Sequence, residues 1–249
     1  MDLTGKRAFV TGASGGLGRQ IAMSLAAAGC DVALGFHKGQ DRVDAVADAI
    51  TDLGRRGTPV SFDQGDETSI QSGVEQAVEA LGGLDILVNN AAVVKGVPFT
   101  DLDTLGPEIW DYTMQHNLRG PWLVARAAAP HLTGSGAGRT VNVAAMAGMK
   151  PMGASIAQSV SKAGVIQMTR CLAVALAPKV TVNCVAPGLM EGTVMTQNLT
   201  DAFRDAFASQ AALGTTTSLQ DVAAQVVQFC QAETITGQTT VIDGGVYFH

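Results

Sequence analysis

The feature that most narrows the fold is an alternation of short apolar runs with longer helical patterns along the whole chain. Strand signals fall at residues 7–11, 31–36, 59–63, 84–89, 139–143, 179–185 and 239–243. Helical patterns occupy 16–28, 41–53, 67–81, 107–132, 156–177 and 219–231. The strand runs are apolar throughout, as in strands covered on both faces. Strands alternating with helices in this way specify an α/β fold, a Rossmann-type doubly wound parallel sheet flanked by helices on both faces. The 249 residues are 47% hydrophobic, enough for a large core. No linker or repeat divides them, so residues 1–249 read as a single domain. Segment 189–214 is weakly patterned and reads either as a lid over a pocket or as ordinary surface helices.

Net charge is -6 and no Lys/Arg cluster offers a phosphate-tracking patch, which argues against nucleic acid as a partner. Cys30, Cys171, Cys184 and Cys230 are scattered without metal-ligand spacing and read as reduced thiols, with no metal expected. No apolar run reaches the roughly 18 residues that span a bilayer. The first strand begins too close to Met1 for a signal peptide, so a cytoplasmic location is expected.

Between the first strand and the first helix lies Thr11-Gly12-Ala13-Ser14-Gly15-Gly16-Leu17-Gly18. Glycines let the chain turn tightly and let a phosphate approach the backbone, while the helix presents unpaired N–H groups and its positive end. An NAD site usually adds an acid about 20 residues further on, to hold the ribose hydroxyl. Here Gly35-Phe36-His37-Lys38 holds no acid, and His37 and Lys38 suit a 2′-phosphate. The expected cofactor is NADPH/NADP+.

Over nearly its full length the sequence resembles the short-chain dehydrogenase/reductase family. Beyond the glycine turn the resemblance rests on Asp63, Asn89-Asn90-Ala91, Asn117, Val141-Asn142-Val143, Lys162, Asn183, Pro187-Gly188, Gly237-Gln238 and Asp243-Gly244-Gly245. It implies that Gly12, Ser14, Gly16, Leu17 and Gly18 cradle the pyrophosphate. It puts Asp63, with Gln64 beside it, at the adenine edge, and Asn89 and Ala91 along the adenosine ribose. It puts Lys162 on the nicotinamide ribose, Pro187 and Gly188 at the nicotinamide, and Thr193 on its amide. The family's catalytic group is Asn, Ser, Tyr and Lys. Asn117 and Lys162 match, whereas Ala145 stands at the Ser position and Gln158 at the Tyr position.

Those two replacements change the expected chemistry. Hydride addition to a ketone makes an alkoxide, and a positioned acid contributes about 10²–10⁴-fold to such a step. Gln158 cannot give up a proton near neutral pH, and Ala145 cannot hydrogen-bond an oxyanion. An iminium carbon is already activated, and hydride addition leaves a neutral amine without a proton being needed. The first expectation is therefore reduction of an imine, iminium or hemiaminal-derived carbon of a small molecule. The alternatives are carbonyl (3-oxoacyl-type) reduction with a substitute donor such as His116, Lys95, Tyr247 or water, and a redox-neutral or non-catalytic NADP(H)-binding role. Helical stretches 107–132 and 156–177 are apolar nearly all round, which argues for burial on both sides. A homotetramer or homodimer is expected, with Trp110, Tyr112, Trp122 and Met168 either at its interface or in the core.

Overall fold

The computed structural model describes residues 1–193, 196, 197 and 199–248. Its seven strands form one sheet: β1 (Arg7–Thr11), β2 (Asp31–Phe36), β3 (Gly57–Ser61), β4 (Ile86–Asn89), β5 (Gly138–Val143), β6 (Val180–Pro187) and β7 (Thr239–Ile242). The order is β3-β2-β1-β4-β5-β6-β7 and every pairing is parallel. The chain leaves β1 toward one edge and re-enters at β4 toward the other. Such a switch point opens a crevice at the carboxyl ends of the strands, where ligands of these folds bind.

Burial explains why the strands read as continuous apolar runs. Ala8 and Val10 of β1 join one core, packed under α1 (Gly16–Ala27), α2 (Gln40–Asp52) and α8 (Leu219–Gln231). Phe9 between them joins the opposite core, under α3 (Glu67–Leu81) and α5 (Gly120–Gly134). Ile86 and Val88 against Leu87 repeat the pattern in β4. Successive side chains point to opposite faces, and here both faces are dry.

The expected helix over 107–132 is instead α4 (Pro107–Met114), a π-helical turn at Gln115–Arg119, and α5. Pro121 has no N–H to give to the turn before it, so the regular i→i−4 ladder cannot continue there. The later helix α6 (Ile156–Ala175) stops short of the expected 177, ahead of Pro178, because the residue before a proline resists the α conformation. The third strand lies two residues earlier than expected. Segment 189–214 contains one two-turn helix, α7 (Asp201–Ala208), capped by the Thr200 side chain. Residues 194, 195 and 198 of that segment lie outside the described residues.

Candidate active site

The glycine turn sits where β1 and β4 diverge. Gly12 holds φ +68°, and a Cβ there would lie 2.9 Å from the Ala91 Cα. Thr11 Oγ1 accepts the N–H groups of Asn90 and Ala91, each at 3.0 Å. Asn90 Nδ2 donates back to the carbonyls of Thr11 at 2.9 Å and Gly12 at 3.2 Å. Gly15, the residue before helix α1, offers no side-chain cap, and nothing occupies the space beside that glycine. The unpaired N–H groups of its first turn and its positive dipole end therefore face an open cleft, an arrangement that fits a pyrophosphate.

This cleft, about 840 Å³, runs along the carboxyl ends of the strands. At one end it meets His37, Lys38 and Arg42, with no carboxylate at the end of β2. Arg42, on the first turn of α2, was not picked out from the sequence; its guanidinium curls back to the Lys38 carbonyl at 3.3 Å. Asp63 stands 3.8 Å from both His37 Nδ1 and His116 Nε2. Gln64 donates to the carbonyls of Ala91 and His116 at 2.9 and 2.7 Å, fixing this wall to the strand ends.

Two expected site residues are placed elsewhere. Asn89 is 3% exposed and does not line the cleft; its Nδ2 donates to Asn142 Oδ1 at 3.0 Å and the Pro121 carbonyl at 3.3 Å, beneath the floor. The neighbouring Asn90 lines the cleft instead, since adjacent strand residues face opposite ways. Asn117, in the π turn, spends both ends of its amide on Val93: Oδ1 accepts from its N–H at 2.8 Å and Nδ2 donates to its carbonyl at 2.9 Å. It holds the loop after β4 and is absent from the cleft wall.

At the other end Gln158 and Lys162, one turn apart on α6, face the cleft together with Ala145 just past β5. Lys162 is 6% exposed, and Nζ donates to the Val143 carbonyl at 2.9 Å. Burial drives its pKa down to about 8, with no carboxylate beside it to hold the charge. Gln158 Oε1 accepts the Ala154 N–H at 2.7 Å, and the Ala154 carbonyl accepts the Val97 N–H at 2.8 Å. The two bonds strap α6 to the loops after β5 and β4. A Cβ on Gly153, at φ +106°, would come within 3.0 Å of Gln158 Oε1, so the strap needs glycine there.

Pro187, Gly188 and Thr193 close this end from the β6 side, and Thr193 reaches back over Gly16 of the glycine turn. The Thr193 hydroxyl lies 3.0 Å from that of Thr196. Among the described residues of the wall, the only hydroxyls are those of Ser14, Thr193 and Thr196. Of the substitute donors, Lys95 lies over the Tyr112 ring, 5.2 Å from its centroid, and neither Lys95 nor Tyr247 is on the cleft wall. His116 lines the nucleotide end, with Nδ1 2.8 Å from the Tyr112 carbonyl oxygen.

Known proteins share this sequence and shape. Residues 6–203 match the family described as short chain dehydrogenase. The ketoacyl reductase 2 of the granaticin polyketide synthase from Streptomyces violaceoruber is 38% identical over 243 residues, 96% of this chain and 95% of that one. The 3-oxoacyl-[acyl-carrier-protein] reductase FabG of Aquifex aeolicus is 34% identical over 99% of both chains. A short chain dehydrogenase from Burkholderia cenocepacia J2315, solved in complex with NADP, superposes with TM-score 0.91 at 37% identity over 99% of both chains. Carveol dehydrogenase from Mycobacterium avium, solved with NAD, gives 0.89 at 27% identity over 98% of both. With a matching family model over most of its length, relatives covering nearly all of it and the same seven-stranded sheet, this chain belongs to the short chain dehydrogenase family.

Proposed function

We propose that this protein is an NADPH-dependent reductase of small molecules, and that the carbon it reduces is doubly bonded to nitrogen: an imine taken up as its protonated iminium, a preformed iminium, or the hemiaminal that releases one. The observation that carries this reading is the trio at the reaction end. Lys162 is retained in the cleft, while Ala145 and Gln158 stand where the family resemblance puts a serine and a tyrosine.

NADP(H) fits the cleft on this chain's own residues. The glycine turn leaves room for the pyrophosphate, and Lys38 and Arg42 offer positive charge beside His37, with no carboxylate at the end of β2. The relative solved with NADP, at 37% identity, supports the same choice. Lys162, Pro187, Gly188 and Thr193 would hold the nicotinamide end. When bound, NADPH supplies the hydride.

The residues around the reacting carbon then have limited tasks. The Gln158 carbonyl is committed to Ala154 N–H, so its amide N–H groups are the part left for the cleft. They can orient a substrate oxygen by hydrogen bonding but cannot protonate it. Ala145 adds only apolar surface. An iminium accepts hydride to give a neutral amine and so needs no proton during the transfer, and positioning accelerates it strongly.

A second reading is carbonyl reduction of a 3-oxoacyl-type substrate, and the names of the two curated relatives favour it over the first. The proton would then come from water or from Lys162, whose pKa of about 8 is within the working range of a general acid. The test is a panel of cyclic imines, hemiaminals, ketones and 3-oxoacyl thioesters, followed by NADPH absorbance. Faster turnover of C=N substrates supports the first reading; faster turnover of ketones or thioesters rejects it for the second. Product without NADPH oxidation would mean redox-neutral chemistry.

The reading also places the protein in the cytoplasm, where its four unpaired cysteines stay reduced. It makes the protein a homodimer or homotetramer through the α4–α6 surface, where Tyr112 and Trp122 are exposed. The described part of segment 189–214, which puts Met190, Phe203 and Phe207 on the cleft wall, would serve as a substrate lid.

A further inference from the structure

Beyond Lys162 the character of the cleft changes. Every other charged or imidazole side chain on its wall (His37, Lys38, Arg42, Asp63 and His116) belongs to the nucleotide end. Apart from Gln158 and the Thr193 and Thr196 hydroxyls, the described remainder is apolar. Met146 and Met152 reach it from the β5–α6 connection and Met190 from the loop after β6, and Phe203 and Phe207 from α7. One side of this chamber is stitched in place through Gln158, Ala154 and Val97. On the other side, Phe207 is buried but Phe203 is 51% exposed while still lining the cleft. A half-exposed aromatic on the wall of a largely apolar cleft leaves stacking surface uncovered.

We infer that the substrate carries an aromatic ring, which packs among these methionines and against Phe203 while its reacting carbon lies over Ala145 and Gln158. This rests on the preceding reading only in taking the Ala145–Gln158–Lys162 end as the place of reaction. Thioether sulfurs favour the edges of aromatic rings, and a phenylalanine face favours an offset or edge-on partner. Unbranched methionines also adapt to a flat ligand at little cost in packing. Among the described residues Lys162 is the only charged group at this end of the cleft, so the ring needs no ionic group of its own to be recognised.

Three probes with one electrophile isolate the ring: 2-methyl-, 2-cyclohexyl- and 2-phenyl-1-pyrroline. Their saturated amines are titrated calorimetrically into NADP+-saturated protein, so the readout does not depend on turnover. We expect the phenyl amine to bind roughly 10- to 100-fold tighter than the methyl one, as burial of a phenyl group predicts, and severalfold tighter than the cyclohexyl one. Phe203→Ala should remove most of the phenyl advantage, and Phe203→Leu should remove the preference of phenyl over cyclohexyl. Equal affinity for phenyl and methyl probes overturns the inference, as does a phenyl preference untouched by Phe203→Ala. The same three substituents on methyl ketones separate this outcome from the choice of electrophile. If ketones are the substrates, the phenyl preference should persist among them. If a 3-oxoacyl N-acetylcysteamine thioester binds more tightly than every ring compound, the chamber is not an arene site.

Discussion

Thr11, Gly12 and Asn90 shape the nucleotide end of the cleft with backbone turns and amide bonds, and Lys38 and Arg42 add exposed cations around it. At the reaction end a single buried amine, Lys162, stands beside Ala145, Gln158 and methionine side chains. The first end recognises a ligand by geometry and charge that any member of the fold can build. The second decides what chemistry follows, and in the proposed reading it keeps the lysine, with Ala145 and Gln158 standing where the family resemblance puts hydroxyls. On the proposed reading the difference teaches that binding and protonation are separable properties of one cleft: a cofactor cradle can stand without a hydroxyl acid beside it.

The sharpest way to break the comparison is to give the reaction end its hydroxyls. Ala145→Ser with Gln158→Tyr should raise ketone reduction by roughly 10²–10⁴-fold, the usual contribution of a positioned acid. C=N turnover should move far less. Steady-state kcat/KM for matched ketone and imine pairs measures both.

The nucleotide end is tested by its charges. Lys38→Ala with Arg42→Ala should weaken NADPH by about 10- to 100-fold, the scale of one or two charge-assisted hydrogen bonds. NADH binding should hardly change, because it lacks the 2′-phosphate. Fluorescence titration of the two nucleotides reads the ratio directly.

The pH profile joins the two ends through Lys162. Its amine is charged below about pH 8 and neutral above. If it protonates a nascent alkoxide, ketone reduction falls about tenfold per pH unit above 8. A cationic C=N substrate is repelled by the charged amine, so its reduction should stay level or rise through the same point. A profile of N-alkyl iminium reduction from pH 6.5 to 9.5, at saturating NADPH, distinguishes the slopes.

The smallest effect is on stability. A buried unpaired ammonium opposes folding, so Lys162→Met should raise the Tm of the cofactor-free protein, by about 2–4 °C for each kcal/mol gained. The folded-state pKa of about 8 lies below the ordinary 10.5, so the unfolded chain holds the extra proton between those values. Wild-type stability therefore gains with rising pH across that window. The advantage of the methionine variant should be full below pH 8 and fade by 10.5. Calorimetric melts at several pH values check it.

Much of this was readable in the residues alone, because it is local or periodic. The strand–helix alternation gave the sheet, and the glycine turn between β1 and α1 gave the phosphate cradle. Gln158 and Lys162 share a helix face at a spacing of four, so their joint approach to the cleft was legible too. What escaped depends on register and on distant backbone. Whether Asn89 or Asn90 faces the turn is a question of which way β4 points at its end. Arg42 reaches the cleft only because α2 starts directly after Gly39. The use of Gln158 Oε1 depends on Gly153 adopting a positive φ, and the π turn holding Asn117 on a proline four residues later. Phe203 shows its role only once α7 is laid along the mouth of the cleft.

The most direct test of the central claim is a single-turnover experiment. The NADPH-loaded protein is mixed with an N-methyl iminium salt, or with the ketone of the same carbon skeleton, and the decay of nicotinamide fluorescence is followed. The account predicts hydride transfer to the iminium at least about 10²-fold faster than to the ketone, the lower bound of a missing acid's contribution. Equal rates, or a faster ketone, would contradict it.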